Sequence, residues 1–144
     1  MLETIFGLIT AALIIVLCQL LSGYFKMKLV AATILVAIAF IYVGFSLKGN
    51  GIRFIILEVA IALGFYFMAI IGYTRNVLLL AYGILLHGVW DIFHHNGVPV
   101  QTDIPGYWPT FCFVIDIIDG LYFLFLFKTL KSGSSSRQES LVKS

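Results

Sequence analysis

The chain has 144 residues, of which 61% are hydrophobic and only 11% charged, and its formal net charge is +2. An ordinary soluble domain carries about 25% charged residues, and a chain this short has too little interior to hide so much apolar side chain. A soluble enzyme and a disordered chain are therefore excluded, and so is a nucleic-acid binder, because the nine basic residues are few and scattered.

The expected architecture is an all-α, polytopic transmembrane bundle of five helices. A hydrocarbon core takes about 20 helical residues to cross. Five apolar stretches approach that length: Glu3–Leu21, Leu29–Leu47, Ile52–Ile71, Val77–His95 and Tyr107–Leu130. Their apolar runs are continuous rather than alternating, which argues against a β-barrel. In lipid each helix satisfies its own backbone hydrogen bonds. The first stretch carries Glu3 and no basic flank, so it reads as a retained helix rather than a signal peptide.

The linkers are short, and the basic residues orient them. Lys26, Lys28, Arg75, Lys128, Lys131, Arg137 and Lys143 fall on one side, and Lys48 and Arg53 on the other. This predicts an amino terminus outside and a carboxyl terminus in the cytoplasm, in the cell inner (plasma) membrane. Residues 1–131 form the transmembrane domain in this reading. Residues 132–144, polar and rich in serine, form a disordered cytoplasmic tail. No internal repeat and no Gly-rich phosphate loop is present. No GxxxG face is present either, which leaves the oligomeric state open. Cys18 and Cys112 fall near opposite faces, too far apart for a disulfide.

The acids are more informative than the bases. Glu58, Asp91, Asp116 and Asp119 lie within spans, together with His87 and His94, while no lysine or arginine lies deep in any span. A carboxylate near the bilayer centre costs about 2.5–3.5 kcal/mol on insertion scales. With no buried base available, either protonation or a bound cation must offset that cost.

Helical spacing groups these residues. At about 100° per residue, Asp91 lies roughly 40° and His94 roughly −20° from His87, on one face of the fourth helix. His95 is near the edge of that face and reads as solvated. Asp116 and Asp119 are an i, i+3 pair on the fifth helix, one turn after Cys112. At about 1.5 Å per residue, Glu58, His87 and Asp116 lie roughly 9, 12 and 13 Å below the outer boundary. Three helices thus offer ionisable groups at one level in the outer leaflet half.

Imidazole and carboxylate are ligands for Zn²⁺ or another divalent metal, and a catalytic site keeps one position for water. His87, Asp91, His94, Asp116 and Asp119 are the candidate ligands, with Glu58 as the candidate catalytic base. The implied partners are the lipid bilayer and a lipid or amphipathic substrate. The structural alternative is polar glue between helices, worth about 0.6–2 kcal/mol per contact. A proton- or cation-coupled transporter or channel component and an accessory membrane subunit are the functional alternatives. The loop Asn96–Gly106 carries Pro99 and Pro105 and reads as a rigid connector. Pro109 suits a first helical turn. Tyr107 and Trp108 read as interfacial anchors, and Trp90 as a residue that lines a pocket or faces lipid.

The segments HGVWDIFHH (His87–His95) and PGYWPTFCFVIDIIDG (Pro105–Gly120), with IYVGF (Ile41–Phe45) and Glu58, resemble a family of small uncharacterised bacterial integral membrane proteins. The resemblance covers most of the chain apart from the tail, and implies the fold and a polar cluster but no reaction. The cluster is also loosely similar to intramembrane zinc hydrolases such as alkaline ceramidases and adiponectin receptors. Those have seven helices and a distal HxxxH pair that this chain lacks, so the likeness is one of analogy.

Overall fold

The computed structural model describes residues 1–48, 51–94 and 104–142, with side chains as far as Ser132. Its elements in chain order are α1 (Leu2–Leu21), α2 (Met27–Ser46), α3 (Ile52–Thr74), α4 (Leu78–Ile92) and α5 (Trp108–Val142). The described residues are predominantly helical, with no strand among them. Helix α5 has its membrane-length apolar part in Trp108–Ser132. Its helical backbone continues to Val142, through the segment whose sequence suggests an unstructured tail.

Four helices are long and apolar enough to cross a membrane: α1, α2, α3 and the apolar part of α5. The fourth expected span is shorter than its sequence suggests. Helix α4 has 15 residues, about 22 Å at 1.5 Å per residue, and stops at Ile92 rather than His95. The cause is a tightened last turn. Phe93 N–H bonds the Trp90 carbonyl at 3.0 Å and His94 N–H the Asp91 carbonyl at 3.1 Å. Such i to i−3 bonds are the signature of a closing 3₁₀ turn.

Helix α5 packs against both α4 and α1, α2 packs against α3, and α4 also touches α2 and α3. Small residues permit these close approaches. Ala31 and Ala39 of α2, Ala62 and Ala69 of α3 and Ala81 of α4 are buried where their helices meet, around Leu35, Leu80 and Ile84. Between α4 and α5, glycines serve the same purpose. A Cβ placed on Gly120 would stand 2.7 Å from Leu85 side-chain carbons, and one on Gly88 would stand 3.2 Å from Asp116 Cβ. The outward faces are lined by large apolar side chains such as Leu13, Ile56 and Phe125. Water offers no stable home for such a surface, whereas acyl chains do. The chain is accordingly a helical membrane protein.

Candidate functional site

Four helices build one buried polar cluster. Helix α4 supplies His87 and Asp91, which the i, i+4 spacing stacks on one face. Helix α5 supplies Asp116, brought close because Gly88, next to His87 on α4, has no side chain to hold it off. Helix α3 supplies Glu58, and α2 supplies Tyr42. His94 enters from the turn after α4. All of these side chains are less than a tenth exposed.

The cluster has two parts. In the first, His87 Nδ1 lies 2.7 Å from Asp116 Oδ2 and 3.9 Å from Asp91 Oδ1. His87, Asp91 and Asp116 each offer one ligand atom, and the three atoms lie within 4.8 Å of one another. Tyr42 O–H donates to Asp91 Oδ1 at 2.5 Å. Asp91 Oδ2 is buried without a hydrogen-bond partner. Unsatisfied buried polar atoms are uncommon in native structures and frequently mark a missing water or ion. The group is also rich in carboxyl oxygen, with two carboxyl groups against one imidazole.

In the second part, His94 Nε2 lies 2.7 Å from Glu58 Oε1, and His94 Nδ1 lies 3.2 Å from the Trp90 carbonyl oxygen. A carbonyl can only accept, so Nδ1 carries a proton. One further proton then belongs to the Nε2–Glu58 contact, which makes this a proton-sharing acid–imidazole pair. Tyr42 links the two parts. Its ring stacks on His94 at 4.0 Å between centroids and on His87 at 5.8 Å. Phe65 of α3 meets His87 edge-on at 5.2 Å.

The structure thus brings together three of the five residues expected to hold a metal. His94 does not join them. On an extended α-helix it would share the face of His87 and Asp91. In the structure its Nε2 instead meets Glu58 Oε1 of α3 at 2.7 Å. Asp119 lies one turn beyond Asp116 and is not in the three-residue group. Both its oxygens are buried without a hydrogen-bond partner. His95 and the loop as far as Asp103 lie outside the described residues. Cys18 and Cys112 are both free thiols.

Tyr42 is the site residue that the sequence reading left unassigned, although it lies within the quoted IYVGF segment. The available signal was general: a tyrosine inside a span needs a hydrogen-bond partner for its hydroxyl. Trp90 serves the neighbourhood in another way. With Ile61, Gly64, Phe65, Met68 and Phe93 it lines an apolar cleft of about 370 Å³ between α3 and α4. Its ring edge also meets His94 at 5.2 Å.

Neither the curated proteins nor the solved structures contain a match to this chain. A family model does match, over residues 2–129, and that range includes every residue of the cluster. The chain belongs to that family, described as a family of unknown function, DUF6010.

Proposed function

We propose that this chain is a metal-dependent membrane hydrolase of a lipid or amphipathic substrate. The observation that carries the reading is the His87, Asp91 and Asp116 group, with ligand atoms within 4.8 Å of one another in an apolar bundle. Two carboxylates balance the charge of a divalent ion, and a neutral imidazole completes a donor set that suits Zn²⁺ and similar metals. Three protein ligands leave a position for water, whose acidity a bound metal raises. Glu58 is the base in this reading. Its shared proton with His94, at 2.7 Å, makes the pair suited to receiving and returning a proton. The seven-to-two split of basic residues further supports a site in the outer leaflet half of the plasma membrane, with the amino terminus outside and the carboxyl terminus cytoplasmic.

Metal analysis of detergent-purified protein, prepared without chelator, is the direct test. One equivalent of a transition metal is expected in the wild type and none after Asp116→Asn combined with His87→Ala. A wild type free of metal, and unable to take up added Zn²⁺, defeats the reading.

Asp119 favours a second reading, a proton- or cation-coupled transporter or channel component. It is a buried acid without a hydrogen-bond partner, deeper along α5 than the three-residue group, and intramembrane acids of this kind commonly mark ion pathways. That reading requires pH-dependent flux in liposomes that Asp119→Asn abolishes.

A further inference from the structure

We propose that Tyr42 is a positioning residue of the metal group: its hydroxyl holds Asp91 Oδ1 and so fixes the rotation of the carboxyl group that Asp91 presents as a ligand. The inference rests on the metal reading above and adds a positioning residue to it.

Three observations carry it. Tyr42 is 1% exposed, and its hydroxyl donates to Asp91 Oδ1 at 2.5 Å. Asp91 Oδ2 is buried and has no hydrogen-bond partner. Asp91 Oδ1 also lies 3.9 Å from His87 Nδ1, so the hydroxyl bonds the oxygen that faces the imidazole and fixes how the carboxyl group is turned toward it. The Tyr42 ring also lies nearly parallel to His94, at 8°, and within 24° of the plane of His87. One side chain therefore orients an acid ligand and restrains two imidazole planes.

The hydroxyl suits this role because it is neutral. A lysine or arginine at the same place would also hold Asp91, but it would cancel the negative charge that attracts a divalent ion. Hydrogen bonds from outside the ligand set commonly fix the ligands, and losing one typically lowers metal affinity 10–100-fold.

The test is titration of purified protein with Co²⁺, read by its visible absorption, in wild type, Tyr42→Phe, Asp91→Asn and the double variant. Phenylalanine keeps the ring and its stacking and removes only the hydroxyl. Tyr42→Phe is expected to weaken Co²⁺ binding by about 10–100-fold and to alter the visible spectrum, because the Asp91 carboxyl group is then free to turn. On the Asp91→Asn background the same change should have no further effect, since residues acting through one another are not additive. An unchanged affinity and spectrum in Tyr42→Phe, or additive losses in the double variant, overturns the role of Tyr42 and leaves the metal reading standing. A wild type that takes up neither Co²⁺ nor Zn²⁺ overturns both. If Tyr42→Phe fails to fold, the infrared difference spectrum of Zn²⁺ binding to the wild type decides. The carboxylate bands that disappear in Asp91→Asn should be accompanied by a shifted tyrosine C–O band, and a difference spectrum without any tyrosine band overturns the proposal.

Discussion

Gly88→Ala probes how the cluster is assembled without touching any of its ionisable groups. The added Cβ would stand 3.2 Å from Asp116 Cβ and 3.4 Å from Ile117 Cδ1. Carbon atoms pack at about 3.5–4.0 Å, so α5 must retreat by roughly 0.3–0.8 Å or Asp116 must turn aside. The 2.7 Å contact between His87 Nδ1 and Asp116 Oδ2 then lengthens beyond the range of about 2.7–2.9 Å expected of a charge-assisted hydrogen bond. Overpacking costs about 1–3 kcal/mol, and replacing a helical glycine by alanine offsets about 0.8–1.0 kcal/mol of that. The net expectation is a loss of about 0–2 kcal/mol, together with several-fold weaker metal binding.

Gly44→Ala is the control, because its Cβ would meet nothing within 4 Å. It should leave stability unchanged or raise it slightly. Thermal unfolding in detergent, followed by circular dichroism, and Co²⁺ titration of both variants supply the comparison. If Gly88→Ala matches Gly44→Ala in both measurements, the close approach of α4 and α5 does not set the His87–Asp116 contact.

His94→Ala leaves Glu58 buried without its imidazole. Losing a hydrogen bond of this kind costs about 1.5–3 kcal/mol, and an unaltered unfolding temperature would contradict the pairing. Metal uptake should release protons and weaken as pH falls, because the imidazole and both carboxyl groups must be unprotonated to ligate; Co²⁺ affinity that rises on acidification would count against these ligands. Asp119→Asn separates the two functional readings. Unchanged metal stoichiometry is expected if the ion sits on His87, Asp91 and Asp116, whereas loss of ion flux in liposomes would support transport instead.

Much of this molecule follows from local pattern. Long apolar runs and the near absence of buried bases dictate helices in lipid, because only internally satisfied backbone survives there. The i, i+4 spacing of His87 and Asp91 puts both on one helix face wherever that helix is placed. Two further decisions belong to the tertiary structure. Which partner His94 meets depends on the helix packed beside it, and Glu58 of α3 lies 2.7 Å from its Nε2. The arrival of Tyr42 on Asp91 depends on the docking of α2, a contact between residues 49 positions apart. Periodicity along one helix carries no record of its rotation against another. That rotation is chosen by side-chain packing across the interface, including the alanines of α2, α3 and α4 and the bare backbone at Gly88.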